Sequence, residues 1–352
     1  PTKSVFCNKP IKIAKKGNVL FSVRAPVGEV NIAIEKCCIG RGLAALRMKN
    51  GNNEFLYFLL KNYAQYFKGI AGGTTYESIN KDQVENIELL IPKNSFEQKR
   101  IAEILSAFDE KIELNNKINK TLEEMAQAIF REWFMDFRFP GHEKVKLVDS
   151  ELGKIPEGWE VKMLPEVFDF LEGPGIRNWQ YTRKGCPFIN IRLIQNNDIN
   201  VKSANFISEK EANEKYKHFH LKERDMVVST SGTLGRSAIV RKEHLPLLLN
   251  TSVIRFRPKD NKSYAFMYQF LKSNYFQNKI LTMASGSAQP NFGPVHLKQI
   301  KVLVPEGGIL DKFNELVNPI YERIIANMSE NQTLAVLRDL LLPKLMSGEI
   351  RV

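Results

Sequence analysis

The sequence has few cysteines and no long apolar run. Cys7, Cys37, Cys38 and Cys186 show neither the Cys-x-x-Cys spacing of a zinc site nor the density of a disulfide-stapled domain, which predicts four free thiols. No apolar stretch reaches the roughly 18 residues that a membrane helix needs, and the first residues form no charged-then-apolar leader. We therefore expect a cytoplasmic chain with no membrane partner.

The motifs of catalysis are also missing. The sequence contains no GxxxxGK[ST] loop for ATP and no Asn/Asp-Pro-Pro-aromatic tetrapeptide of an adenine methyltransferase. Gly173-Pro174-Gly175 lacks a third glycine, and its proline removes an N–H that a phosphate cradle would use. The acidic stretches at 109–111 and 149–154 fit a helix surface and a linker better than a nuclease metal site. His218 and His220 have no further metal ligands nearby in the sequence. We therefore expect no catalytic residue and no bound metal.

The sequence has fewer acidic than basic residues. The 352 residues include 51 Lys and Arg against 39 Asp and Glu, which leaves a net charge of +12. Such an excess favours a polyanionic partner such as nucleic acid. Because the basic residues are spread along the chain, a soluble basic protein without such a partner stays an alternative.

The chain contains an internal repeat, since residues 17–134 can be laid over residues 224–346 at an offset of about 210 residues. Each copy begins with a strand-like run, a Ser-containing turn with a glycine (Gly28 or Gly235), and a second strand. A short strand follows, and then a run whose apolar spacing predicts a helix, FLYFLLK or FMYQFLK. A glycine-rich loop, a short helix and a closing strand are predicted to complete each copy.

Each copy ends in a long amphipathic helix with the a/d spacing of a coiled coil. Both seams carry two asparagines near the midpoint, and the second seam repeats the first at a constant offset of 212. The first seam is Ile101, Leu105, Phe108, Ile112, Asn115, Asn119, Leu122, Ala126, Ile129 and Trp133, and the second is Phe313, Val317, Ile320, Ile324, Asn327, Asn331, Leu334, Arg338, Leu341 and Leu345.

The asparagines predict an antiparallel register, in which Asn115 lies opposite Asn331 and Asn119 opposite Asn327. A buried Asn facing an apolar residue would cost about 1–3 kcal/mol, which disfavours slipped registers. Two alternatives stay open. The helices could be unrelated, with solvent-facing asparagines, or the second helix could begin only at Asn318-Pro319, where Asn suits an N-cap and Pro the first helical position.

The order of these parts resembles the specificity subunit of type I restriction-modification enzymes, which alternates recognition domains with long helices. The most specific pieces are the junction FPGHEKVKLVDSELGKIPEGWEV and the ending LRDLLLPKLMSGEIRV. The resemblance implies an α+β fold, with two mixed α/β target-recognition domains separated by long helices that form an antiparallel coiled coil.

The resemblance also divides the chain. The implied segments are a first target-recognition domain at 1–95, a coiled-coil helix at 96–138, a linker at 139–154, a second target-recognition domain at 155–305 and a C-terminal helical region at 306–352. An IPEGWE opening stands at the start of the second domain only, so the first domain is expected to lack its N-terminal part.

The partners are implied by the same resemblance. This chain would bind double-stranded DNA, together with adenine methyltransferase subunits and ATP-dependent restriction subunits. Those subunits would use S-adenosylmethionine, ATP and Mg, and no cofactor is expected on this chain. Two other functions stay open. The chain could be the DNA-reading portion of a single-chain restriction-methylation enzyme, or a coiled-coil scaffold with two protein-binding domains.

Loops are the expected place for DNA-reading residues, because Arg pairs with guanine and Asn or Gln with adenine at base edges in the major groove. The expected first-domain residues are Ser22, Arg24, Arg41, Gly73, Thr74, Thr75 and Tyr76. The expected second-domain residues are Arg177, Asn178, Tyr181, Ser229, Ser231, Thr233, Arg236, Ser287, Gln289, Asn291 and, for a phosphate contact, Lys298. Ordinary solvated turn residues are the alternative at each position. A helix from Ile101 to Trp133 would be about 50 Å long and is predicted to space two half-sites by more than one DNA turn of about 34–36 Å.

Overall fold

The computed structural model describes residues 6–72, 77–284 and 290–352. The chain divides into two compact units, which are residues 1–116 with 330–352 (unit 1) and residues 117–329 (unit 2). The two long helices each contribute residues to both units, and each unit has its own hydrophobic core.

Unit 1 is built on a three-stranded antiparallel sheet of order β3-β2-β5 and a separate β1-β4 pair. Its strands are β1 Ile13–Ala14, β2 Val19–Ser22, β3 Val30–Ile32, β4 Cys37–Cys38 and β5 Leu43–Leu46. Its helices are α1 Asn53–Asn62, α2 Ala64–Ile70, α3 Lys81–Glu85, the first part of α4 Ser95–Phe130 and the end of α10 Gly307–Ser347. The FLYFLLK segment is therefore helical, as its apolar spacing predicts, and it buries Phe55, Phe58 and Leu59 against the sheet.

Unit 2 is larger and contains a four-stranded antiparallel sheet of order β15-β14-β16-β9. Its strands are β6 Leu147–Ser150, β7 Gly153–Pro156, β8 Glu160–Met163, β9 Phe168–Glu172, β10 Cys186–Phe188, β11 Ile194–Gln195, β12 Asp198–Ile199, β13 Asn205–Ile207, β14 Met226–Ser229, β15 Ser237–Ile239, β16 Val253–Pro258 and β17 Lys301–Val304. Its helices are the end of α4, then α5 Leu164–Val167, α6 Glu209–Asn213, α7 Tyr264–Lys272, α8 Asn274–Ala284, α9 Pro294–Leu297 and the first part of α10 Gly307–Ser347.

Aromatic residues join the helices of unit 2 to one another. The end of α4 is followed by a π-helical turn at Arg131–Met135. Phe134 of that turn packs edge-on against Phe266 of α7 and Phe313 of α10, with ring centroids 5.1 and 4.8 Å apart. Such pairs add about 0.5–1.5 kcal/mol each beyond the apolar area that they bury.

The prediction of a closing strand in the first repeat is wrong. In unit 2, β17 is a strand because it pairs antiparallel with β8 along its whole length. Residues 86–94 of unit 1 form no strand, and the described part of the first repeat contains no counterpart of β8. A strand needs a neighbour that completes its ladder of backbone hydrogen bonds, and no strand among the described residues pairs with this segment.

The alternative start of the second helix at Asn318-Pro319 is also wrong, because α10 runs without a break from Gly307 to Ser347. Pro319 removes one intrahelical hydrogen bond. The turns on both sides of it are nevertheless held in the core of unit 2 by buried Phe313, Val317 and Tyr321. Tertiary packing therefore overrides the local signal for a helix start.

The long helices pack antiparallel within each unit, and the asparagines meet in the predicted pairs. In unit 1, Asn115 Nδ2 donates to Asn331 Oδ1 at 2.9 Å and to Glu330 Oε2 at 2.7 Å. In unit 2, Asn327 Nδ2 donates to Asn119 Oδ1 at 2.8 Å. Asn115 and Asn327 are buried, so these bonds satisfy amide N–H groups that have little access to water, while the buried Asn115 Oδ1 accepts no hydrogen bond from the described residues.

Candidate nucleic-acid interface

The turn between β14 and β15 is closed by its own hydrogen bonds. Ser229 N donates to Arg236 O at 2.8 Å, and Gly235 N donates to Ser229 O at 3.0 Å. The Ser229 hydroxyl donates to Thr233 O at 2.6 Å and accepts from Arg236 N at 3.0 Å. The turn therefore has a fixed shape, and it leaves the side chains of Thr233 and Arg236 exposed.

Backbone hydrogen bonds bring three predicted loops together at the end of the sheet where β16 begins. Thr230 N donates to Ser252 O at 2.9 Å, and Phe292 N donates to Thr230 O at 3.2 Å. Thr251 N donates to Pro174 O at 3.0 Å, which joins the loop after β9 to the same place. Loop 173–181, turn 229–236 and the segment from Asn291 onward therefore form one surface, called here the reading surface of unit 2.

Most predicted residues of unit 2 that the structure describes are accessible on this surface or beside it. The exposed ones are Arg177, Asn178, Tyr181, Thr233, Arg236, Asn291 and Lys298, and Ser231 is partly exposed. Ser229 requires a correction, because it is fully buried and its hydroxyl orders the turn instead of facing a ligand. Ser287 and Gln289 lie outside the described residues.

Two classes of arginine are distinguished by their partners. Arg255 and Arg257 lie on β16 and are paired with Asp169 and Asp225, so their charges are used inside the fold. By contrast, no carboxylate among the described residues lies within 4.0 Å of Arg177, Arg236 or Lys298. Exposed cations without an internal counterion are available to an external anion.

Unit 1 forms the corresponding turn with the same hydrogen bonds. Ser22 N donates to Glu29 O and Gly28 N to Ser22 O, at 2.8 and 3.0 Å. Val23 N donates to Gly42 O at 2.9 Å, and Val23 O accepts from Ile79 N at 3.0 Å. These four bonds match those of Ser229 and Thr230 in unit 2, and they place a second set of loops at the end of the β3-β2-β5 sheet.

The predicted residues of unit 1 differ in exposure. Arg24 and Arg41 are exposed, and no carboxylate in the described ranges lies within 4.0 Å of either. Ser22 is partly buried, and its hydroxyl donates to Arg24 O at 2.7 Å. Gly73, Thr74, Thr75 and Tyr76 fall outside the residues that the structure describes.

Sequence analysis missed a hairpin beside Arg236. Gln195, Asn196 and Asn197 form its exposed tip, and together with Arg236 they line an open cleft of about 380 Å³. Asn196 and Asn197 both have positive φ values, 51° and 60°, as a two-residue hairpin loop requires. The Asn-Asn pair between two short apolar runs is the sequence signal that could have revealed this hairpin.

The base of the hairpin is fixed by a buried ionic network. Asp198 accepts two hydrogen bonds from the buried Arg241 guanidinium, at 2.9 and 2.7 Å. Burial alone would raise the pKa of Asp198, but the hydrogen bond from His244 and the charge of Arg241 outweigh it and hold this pKa below its usual value. The charged form of Asp198 therefore anchors the amide-bearing tip beside Arg236.

The part of the chain that the structure describes contains no group of three or more His, Cys, Asp or Glu residues that could hold a metal ion. His218 stacks against Phe219 at 3.9 Å between ring centroids, and His220 Nε2 lies 3.2 Å from Ala212 O. None of the helices within the described ranges is long and apolar enough to cross a membrane.

Comparison with known proteins shows which family the chain resembles. The family model of the type I restriction modification DNA specificity domain matches residues 4–124 and 156–325. The chain is 31% identical to the type I restriction enzyme MjaIX specificity subunit of Methanocaldococcus jannaschii, over 97% of this chain and 79% of that protein. It is 29% identical to the HindI specificity subunit of Haemophilus influenzae, over 96% of this chain and 88% of that protein.

A solved structure shows the same fold. The type I restriction-modification S subunit from M. genitalium superposes with a TM-score of 0.54 at 21% identity, covering 95% of this chain and 83% of that one. The chain therefore belongs to the type I restriction-modification DNA specificity family. In such an enzyme it is the non-catalytic subunit, which selects the DNA sequence.

Proposed function

We propose that this chain selects a bipartite DNA target by presenting one reading surface from each unit to one half-site. The observation that carries this proposal is the recurrence of the same turn, closed by the same four hydrogen bonds, in both units. In each unit the turn carries an exposed arginine without an internal carboxylate partner among the described residues, Arg24 in unit 1 and Arg236 in unit 2. Fixed loops with available guanidinium groups suit base reading in the major groove.

The side chains of unit 2 divide by their chemistry. Arg177 and Arg236 suit the O6 and N7 acceptors of guanine, while the amides of Asn178 and Asn291 suit adenine. Ser231, Thr233 and Tyr181 can hydrogen-bond to the DNA backbone and set its register, and Lys298 at the end of α9 supplies a phosphate contact. In unit 1 we assign base contacts to Arg24 and Arg41, with Ser22 holding the turn, and we keep Gly73 to Tyr76 as a predicted contact segment.

Catalysis belongs to the partner subunits in this proposal. Methyltransferase subunits would use S-adenosylmethionine, restriction subunits would use ATP and Mg, and this chain would bind none of these cofactors. The assembly would act on double-stranded DNA in the cytoplasm. The spacing of two half-sites by the long helices stays a prediction from the sequence.

Methylation of a randomised duplex library by the reconstituted complex, followed by sequencing of the modified sites, tests the proposal. The native chain should yield a bipartite motif only when a methyltransferase subunit is present. Arg177→Ala or Arg236→Ala should cost about 1–3 kcal/mol and relax the preference at one base pair, because each guanidinium reads one base edge. Lys298→Ala should weaken all sequences alike and lower the salt slope by about one unit.

Lys259→Ala is the matched control, because Lys259 is exposed at the opposite end of β16. It should leave both motif and salt slope unchanged. Methylation by the chain alone would contradict the non-catalytic role. A motif that keeps every base preference in both arginine variants would contradict the placement of base reading in these loops.

A further inference from the structure

We propose that Trp179, on the reading surface of unit 2, stacks against a base of the bound duplex and contributes to target selection. The inference rests on the proposed function and adds to it a contact of a different kind, made by an aromatic face rather than by a hydrogen-bonding edge. It is carried by three observations, which are the exposure of Trp179, the anchoring of the turn that bears it, and the charges around it.

Trp179 is unlike the other tryptophans of the chain. It is 79% exposed, whereas Trp159 is 6% exposed and Trp133 packs against Phe313 at 5.8 Å between ring centroids. Tryptophan is a residue that folded proteins mostly bury, because its ring removes a large apolar area from water. Exposure of a single apolar residue is nevertheless common, so it needs support from the structure around it.

The turn that carries Trp179 is held on both sides by buried residues. Asn178–Gln180 is one 3-10 turn, and Ile176 just before it is buried and donates its N–H to the buried Asn250 Oδ1 at 3.1 Å. Gln180 directly after Trp179 is also buried. The exposed tripeptide Arg177 to Trp179 therefore stands between two fixed points.

Gln180 uses both ends of its amide to hold the turn. Its Nε2 donates to Tyr216 Oη and to Glu211 Oε1, each at 3.0 Å, and its Oε1 accepts from Arg177 N at 3.0 Å. A side chain presented on an anchored turn loses little backbone freedom when it binds a ligand. The backbone that bears the exposed indole ring is thus held in a defined turn.

The charges around Trp179 favour a nucleic acid as its partner. Arg177, Arg183 and Lys184 are exposed on the same loop, and no carboxylate in the described part of the chain lies within 4.0 Å of them. The loop also adjoins the β14–β15 turn through the segment before β16, because Thr251 N donates to Pro174 O and the neighbouring Ser252 O accepts from Thr230 N. Because each base of a duplex is already stacked on both faces, the indole ring would reach a base by entering a partly unstacked base step, while the cations meet the adjacent phosphates.

Fluorescence and affinity together test the inference on the full chain. The probe is a short duplex carrying the motif recovered from the library, compared with a duplex in which that motif is scrambled. Tryptophan emission of the native chain should fall on binding the motif duplex, and Trp179→Phe should abolish most of that change, because Trp159 is buried in the core of unit 2 and the partly buried Trp133 packs against that core. Trp179→Ala should weaken binding by about 5-fold to 100-fold, the range for loss of one base–aromatic stack, and Trp179→Phe by less.

Leu147→Ala is the control, because Leu147 is also an exposed apolar residue of unit 2 but lies on the β6–β7 hairpin. It should change neither affinity nor emission. Unchanged thermal unfolding of the Trp179 variants would show that they fold, as expected for an exposed side chain.

The outcomes separate this inference from the proposed function. If the native chain retains neither duplex in a gel-shift assay, the proposed function itself fails. If the native chain binds the motif duplex and Trp179→Ala binds it equally well, only the stacking contact is overturned. A Trp179→Ala variant that keeps its DNA affinity but loses its methyltransferase subunit would also overturn it, since Trp179 would then be a protein contact.

Discussion

The two repeats form the same turn but hold the neighbouring helix to the coiled coil in different ways. In unit 2, Lys272 at the end of α7 donates to Glu123 of α4 at 2.9 Å, and the buried Tyr321 of α10 lies 3.3 Å from the same carboxylate. In unit 1, the equivalent Lys61 at the end of α1 lies 4.0 Å from Asp109, which also pairs with Arg338. The lysine recurs, while the acid comes from two residues of α4 that each directly follow a seam residue, Asp109 in unit 1 and Glu123 in unit 2.

The difference lies in burial. The side chains of Lys272 and Glu123 are 14% and 17% exposed, and those of Lys61 and Asp109 are 29% and 30% exposed. Burial and the charge of Glu123 also raise the pKa of Tyr321 well above its usual value, which keeps that hydroxyl protonated. The two repeats therefore share the backbone hydrogen bonds of the turn, whereas the ion pairs between helix and coiled coil differ between the units.

The largest expected difference between the units appears when the acidic partner of the lysine is removed from each of them. Glu123→Ala leaves Lys272 and Tyr321 without their shared partner in a largely buried place, so we expect a loss of about 3 kcal/mol in the free energy of unfolding. Asp109→Ala should cost about 1 kcal/mol, because Lys61 reaches water and Arg338 keeps Asp339. Urea unfolding of the two variants measures both values.

The control for this prediction is Glu124→Ala, which removes the partner of Lys120 in a pair that is 79% and 63% exposed. Its unfolding midpoint should stay close to that of the native chain. Equal losses for Glu123→Ala and Asp109→Ala would show that burial does not distinguish the two units.

The asparagine pairs should give an effect between those of the two acid variants. Asn115→Leu places an apolar group against Asn331, and we expect a loss of about 1–3 kcal/mol in the free energy of unfolding. Asn115→Leu with Asn331→Leu should recover most of it, because the exposed Asn116 and Glu330 can turn to water. The same cycle with Asn119 and Asn327 in unit 2 gives the pairing energy of the second asparagine pair for comparison with the first. Purely additive losses in either cycle would contradict the pairing.

The register of these helices could be predicted from sequence because residues within the helices themselves determine it. The apolar residues recur at a/d spacing, and the paired amides restrict which positions can face each other. The residues of the turns could likewise be located, since each follows a strand-like run and contains a glycine that adopts positive φ, 86° at Gly28 and 75° at Gly235.

The features that could not be predicted depend on distant partners. Whether residues 86–94 form a strand depends on a counterpart of β8, and whether α10 continues through Pro319 depends on the core of unit 2. The burial of Ser229 follows from its hydrogen bonds within the folded turn. Trp179 is likewise singled out only by the buried neighbours that fix its turn outward, which no local spacing of apolar residues indicates.

The smallest expected effect concerns Glu172, an acidic residue beside the reading surface of unit 2. It ends β9, and its Oε2 would lie 3.8 Å from a Cβ added at Gly293. Burial raises the pKa of Glu172 above its usual value, so the folded chain holds a proton there over a pH range in which the unfolded chain has lost it. Stability should therefore decline slightly as pH rises from the usual carboxyl pKa through the raised one.

Glu172→Gln should remove this decline, because an amide carries no charge in either state. The measurement is the unfolding midpoint of the native and variant chains across mildly acidic to neutral pH, with the exposed Glu157→Gln as the control that should keep the decline. A Glu172→Gln variant whose midpoint follows the native curve throughout would show that the Glu172 carboxyl is as well solvated in the folded chain as in the unfolded one.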